Sequence, residues 1–137
     1  MVTCSEGDLR KAITFLQCAA KVKQNSGSVD EHDIFDIVGV LRNDLIEKFV
    51  DVCSSSSFEK IEIFVQELVY DGYSSNQILM QLHDLLIDRA DISDPKKANI
   101  FHKLALMDNN LIEGADEYLQ LLDLATFLMK QLNKMYN

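Results

Sequence analysis

Proline occurs once in 137 residues and glycine five times. A chain so poor in helix breakers, and rich in Leu, Ile, Lys, Glu and Gln, is biased toward helix throughout. Basic residues are also in short supply, 13 against 22 acidic ones, for a net charge of −9. That balance disfavours a protein that grips a phosphate backbone by bulk attraction. Cysteines number three, Cys4, Cys18 and Cys53. The count is odd and no two fall at metal-ligand spacing, so reduced thiols in an intracellular compartment are expected. His32, His83 and His102 are scattered and form neither a zinc site nor a catalytic dyad. No apolar run approaches a membrane span, and the first residues lack the charged-then-apolar order of a signal peptide.

Chemical motifs are missing as well. Neither GxxxxGK[ST] nor GxGxxG is present to cradle a nucleotide, and GxSxG and HExxH are absent. The carboxylates read as solvated helix surface rather than paired acid and base. The residues alone therefore give no catalytic site and no metal site.

What is present is helical periodicity. Apolar residues make up 47% of the chain, enough for a core. A first helix is predicted from Ser5, its cap, to about Lys23, with Asp8 completing a capping box. Leu9, Ile13, Leu16 and Ala20 share one stripe of it. "DEHDIFDIVG" reads as a short second helix, capped by Asp30 and stopped by Gly39, with Ile34, Ile37 and Val38 inward. A third runs from about Asn43 to Cys53, carrying Leu45, Ile46, Phe49 and Val50. "SSSS", 54–57, is a connector. A fourth spans about Ser57 to Asp71, with Phe58, Ile61, Phe64, Val65 and Leu68 inward and Gly72 as its stop. Ser75 caps a fifth, to about Asp88, with Ile78, Leu82, Leu85 and Leu86. Pro95 suits the first turn of a sixth, lined by Ile100, Phe101, Leu104, Met107 and Leu111 and ended by Gly114. The seventh runs from about Asp116 to Met135. Its apolar residues cover roughly 220° of the wheel at the α-helical repeat. Such a helix is either central to its bundle or offers a second face to a partner. Phe127 falls outside that arc, beside Asp123 and Lys130.

"GDLRKA", Gly7 to Ala12, holds the one residue suited to a ligand. Arg10 lies just inside a helix start, where guanidinium and helix field both favour an anion. The alternative is a surface ion pair with Glu6, four residues earlier.

The stretch "SEGDLRKAITFLQ" resembles the sensor-2 segment of the small subunits of replication factor C, the eukaryotic clamp loader. "IFDIVGV" is similar to the end of that family's AAA+ lid. "SSSFEKIEIFVQELVYDGYSSNQILMQLHDLLID" and "EGADEYLQLLDLATFLMKQL" are similar to its C-terminal collar, so the resemblance covers essentially the whole chain. One departure is Leu41-Arg42, where the family usually has Ile-Pro. It implies a less rigid lid–collar junction or an earlier start to the third helix.

The resemblance implies an all-α chain: the end of an AAA+ lid over 1–39, then a collar bundle over 40–137, with about seven helices in all. It implies a C-terminal part of a nuclear subunit whose ATPase motifs lie upstream, and no catalytic residue in this chain. Five such subunits form an open ring through their collars. ATP with Mg opens the ring around the sliding clamp PCNA at primer–template DNA, and the ATPase domains grip the DNA. Arg10 matches the sensor-2 arginine that contacts nucleotide phosphate, with Asp8 and Leu9 beside it. Leu119, Leu122, Phe127 and Leu128 are the expected subunit-interface residues. This chain alone is not expected to bind ATP tightly. Residues 1–39 are too few to close a lid core, so the Leu9–Ile13–Leu16–Ala20 stripe is expected to be partly uncovered. The rival reading is a stand-alone helical adaptor without a nucleotide role.

Overall fold

A computed structural model describes residues 8–22 and 41–133, and every element in them is an α-helix. The helices are α1 (Leu9–Val22), α2 (Asn43–Ser54), α3 (Phe58–Tyr70), α4 (Ser75–Asp88), α5 (Asp94–Ile112) and α6 (Glu117–Leu132). The sequence's second helix, with Asp30, Ile34, Ile37, Val38 and Gly39, lies outside the described residues, as do Cys4, Ser5, Glu6, His32 and Met135. The chain divides into two units, Met1–Arg42 and Asn43–Asn137. The division falls three residues after the boundary read from the sequence.

In the first unit, α1 starts at Leu9 because Asp8 is its cap. The Asp8 carboxylate accepts from the N–H groups of Arg10 (2.8 Å) and Lys11 (3.3 Å), and its carbonyl accepts the first helical bond from Ala12. The cap expected at Ser5 is thus supplied at Asp8, whose short side chain returns to its own helix end. Leu9, Ile13 and Leu16 are 74%, 48% and 52% exposed, and Ala20 is exposed. The covered face is a neighbouring one, Ala12, Phe15 and Ala19.

The second unit is a five-helix bundle built around α6. This helix packs on α2, α3 and α5, while α4 packs on α5 and α2. Its innermost positions, Leu121, Leu124, Ala125 and Leu128, are fully buried. Half-buried residues flank them on both sides: Tyr118, Leu122 and Met129 on one, Gln120, Phe127 and Gln131 on the other. The wide apolar arc therefore belongs to a central helix. Facing α6 are Ile46, Phe49, Val50 and Cys53 from α2, Ile61, Phe64, Val65 and Leu68 from α3, and Ile100, Leu104 and Met107 from α5, all buried. The rings of Phe49 and Phe64 lie 6.0 Å apart, with Lys48 Nζ 5.0 Å from the centre of Phe64.

Two helix ends need glycine. Gly72 and Gly114 have φ of +82° and +92°. Each lets the chain fold back so that the next residue's N–H reaches a carbonyl inside the helix, Tyr73 to Leu68 and Ala115 to Asn110. Pro95 sits in the first turn of α5. Three expectations change. The cap of α4 is Ser74, and Ser75 stands in the first turn, buried, with its polar groups directed at α6. Phe58 is exposed, because α3 begins there and its stripe turns inward only from Ile61. Leu79 and Ile92 join the core. The third sequence helix starts at Asn43, so the Leu41-Arg42 departure does not lengthen it.

Truncating Leu124 to Ala should cost about 2–5 kcal/mol in urea denaturation, the price of a cavity at a closed site. The same change at exposed Leu119 should stay within about 0.5 kcal/mol. Equal losses would place α6 elsewhere than the centre. Burial pushes the Cys53 thiol from its ordinary 9.0 up to about 12. A raised folded-state value means that the associated stability is complete below about pH 9 and is lost as pH climbs toward 12. At pH 8, alkylation followed by peptide mapping should label exposed Cys18 quickly and Cys53 only after denaturation. Matching rates at the two would contradict this packing.

Candidate functional site

Arg10 is the second residue of α1, on an exposed turn. Its carbonyl accepts from the Thr14 hydroxyl at 2.9 Å, an ordinary helical back-bond. The guanidinium is free to reach solvent, while the helix-end N–H groups beside it already hold the Asp8 carboxylate. A phosphate arriving here meets the arginine fork but also a fixed negative charge. Among the described residues, this helix start presents an exposed arginine beside backbone N–H groups that Asp8 already occupies. Leu9 is a solvent-exposed apolar side chain. Among the described residues no three His, Cys, Asp or Glu side chains converge to hold a metal, and no helix is long and apolar enough to cross a membrane.

The four residues expected at a subunit interface separate by depth on α6. Leu119 is 59% exposed and stands with Asp123 and Lys130 on the narrow strip that faces solvent. Leu122 is half-buried. Phe127 is half-buried too, because Lys103 of α5 lies over it, Nζ 5.8 Å from the ring centre, and pairs with Asp123. Leu128 is a correction. It is fully buried, so no partner can touch it while the bundle is intact.

Three polar arrangements join residues distant in sequence or hidden by context. Ser75 donates to Glu117 Oε2 through both its N–H (3.1 Å) and its hydroxyl (2.7 Å), tying the start of α4 to the start of α6. Asp116 caps α6 by accepting from Leu119 N–H at 2.9 Å. At the far end of α4, Arg89 grips Asp91 with both fork nitrogens, at 3.0 and 3.1 Å. That bond holds the Asp91 carboxyl below its usual range and raises the guanidinium further. The pair lines a cavity of about 300 Å³ with Val50, Ile92 and Lys96. The Arg89 guanidinium is already matched by a carboxylate, with Asp51 and Glu47 adding negative field. Lys96 is the second cation at this cavity.

The replication factor C C-terminal domain matches residues 41–126, which take in α2 through α5 and most of α6. Replication factor C subunit 4 of Homo sapiens is 42% identical over 134 residues, covering 98% of this chain and 36% of that protein. Replication factor C subunit 2 of Oryza sativa subsp. japonica is 38% identical over 130 residues, covering 95% of this chain and 38% of that protein. Subunit 2 of Schizosaccharomyces pombe is 40% identical over 124 residues, 90% of this chain and 36% of that protein. The chain thus spans a little over a third of the length of these curated relatives. These matches do not favour the stand-alone adaptor. With a family domain laid over the bundle itself and relatives near 40% identity over nearly all its residues, the chain belongs to the replication factor C family.

Proposed function

We propose that this chain is the C-terminal assembly region of a clamp-loader subunit, acting in the nucleus during DNA replication and repair. Residues 40–137 serve as the collar, which joins neighbouring replication factor C subunits into a ring of five. Residues 1–39 are the end of an AAA+ lid. The complex uses ATP with Mg to place the sliding clamp PCNA on primer–template DNA. The observation that carries the reading is the family domain over 41–126, coincident with a bundle whose central helix leaves one leucine, Leu119, in solvent. A lone apolar side chain on an otherwise polar strip suits a contact that closes only when a partner arrives. Phe127, braced by Lys103, and half-buried Leu122 are the neighbouring candidates.

Arg10 is the proposed phosphate sensor. Support comes from its place on the first exposed turn of α1 and from the resemblance of its segment, read from the sequence, to the family's sensor-2 motif. Asp8 and Leu9 are proposed as neighbours of the nucleotide rather than its holders, since the Asp8 carboxylate is engaged by its own helix.

Co-expression with the other four replication factor C subunits should recover this chain in a complex. Leu119→Asp should reduce that recovery about ten-fold while the melting temperature holds, as loss of a central apolar anchor does. Full recovery of the variant would remove Leu119 from the interface, and failure of the native chain to assemble would end the proposal. For Arg10, a chimaera with residues 1–137 in place of the matching third of the human subunit 4 provides the assay. Arg10→Ala should lower ATP turnover about ten-fold or more, one charged contact of about 1.5–3 kcal/mol, with assembly unchanged. An unaltered rate would return Arg10 to a surface role.

A further inference from the structure

A residue in the first turn of a helix is poorly held by the helix itself. The first four N–H groups have no carbonyl one turn back to receive them, so a first turn frays unless another group takes those donors. Arg10 stands in such a turn, at the start of α1. There a single residue takes the donors. The Asp8 carboxylate accepts from Arg10 N–H at 2.8 Å and from Lys11 N–H at 3.3 Å. The Asp8 carbonyl accepts from Ala12 N–H at 3.0 Å. The turn that carries Arg10 is therefore tied at its open end to Asp8.

That tie bears on where the guanidinium goes. A helical Cα–Cβ bond leans toward the helix N-terminus, so a side chain near the start is directed past the end of the helix. The direction exists only while Arg10 keeps helical φ and ψ. A carboxylate two residues before an arginine could also do the opposite, pairing with the guanidinium and closing its fork. Here both N–H bonds go to the same carboxylate oxygen, and the Arg10 guanidinium has no ion pair or hydrogen bond among the described residues. The cap engages the carboxylate with the backbone and leaves the fork open. Holding the anion is not a role for this carboxylate, since a negative charge beside an incoming phosphate opposes it.

We propose that Asp8 is a positioning residue for Arg10: its cap holds the first turn of α1 in helical form and so aims the guanidinium before a nucleotide arrives. This rests on the phosphate-sensing role proposed above for Arg10. A fork aimed in advance spares the binding step the ordering that a frayed turn would need. Asp8 acts through Arg10 and touches no phosphate.

The test is a double-mutant cycle on ATP turnover in the chimaeric complex, with Asp8→Ala, Arg10→Ala and the two together, each rate taken per assembled complex. Asp8→Ala should lower turnover about five-fold, the scale of a lost N-cap. In the Arg10→Ala background the same change should have less than about a two-fold effect, because no fork is left to aim. Asp8→Asn keeps the cap and removes the charge, so it should restore turnover to about the native rate. Amide exchange over residues 8–14 should quicken with Asp8→Ala and hold with Asp8→Asn. Native turnover in Asp8→Ala, an equal fall in both backgrounds, or an Asp8→Asn variant as slow as Asp8→Ala overturns the positioning role and leaves Arg10 as the sensor. Slow turnover in Asp8→Ala without faster exchange also overturns it. If Arg10→Ala turns over at the native rate, both readings fall together.

Discussion

Burial of α6 is the contact on which the rest of the bundle depends. Its four innermost residues are the common floor for α2, α3 and α5. Each of those helices is amphipathic and hides its stripe only because α6 is there to receive it. A bundle of this kind closes or fails as a unit, since removing the shared helix uncovers three stripes at once. The Ser75–Glu117 link adds direction to that burial. Two donors converge on one carboxylate oxygen, and a buried serine left without it would carry unmet polar groups. The bond therefore fixes where α6 begins relative to α4. Apolar packing, which is not directional, cannot do that alone.

Much of this was legible in the sequence, and the misses have physical causes. Helix periodicity placed four of the described elements, α2 to α5, within a residue or two, and Gly72 and Gly114 marked their stops because only glycine enters the left-handed region freely. Caps were less legible. Ser5 and Asp8, or Ser74 and Ser75, differ by which hydroxyl or carboxylate can turn back, and that depends on tertiary demand. Ser75 is drawn away by Glu117, 42 residues later, a separation no local pattern encodes. Leu79 and Ile92 were missed because each lies beside a helix's main stripe or beyond its end, where only the neighbouring element decides burial. Leu128 was misread for the opposite reason. A wide arc signals exposure to a partner and burial at a bundle centre equally well, and only contact with three helices separates the two.

The candidate site was less legible than the fold because its proposed residues stand singly. Arg10 and Leu119 are each one side chain on an exposed surface, and composition does not weigh such features.

Charge distribution sharpens the division of labour. The described part of the first unit is cationic, with Arg10, Lys11, Lys21 and Arg42 against Asp8 alone, although the whole chain carries −9. The acidic excess thus lies outside α1. Bulk charge argues against nucleic-acid contact by the bundle, but it says nothing about α1, where the local sign is reversed within a distance that solvent salt does not fully screen. The phosphate recognition proposed at α1 is then a matter of local geometry. The helix-end N–H groups are already satisfied by Asp8, so the macrodipole that would assist a phosphate is largely answered. The contact proposed here is left to the arginine, whose planar fork can span two phosphate oxygens where a lysine could meet only one. The proposed phosphate sensor thus stands on a self-capped helix, which needs no anion to complete its first turn, so folding of α1 is separated from the sensing proposed for Arg10.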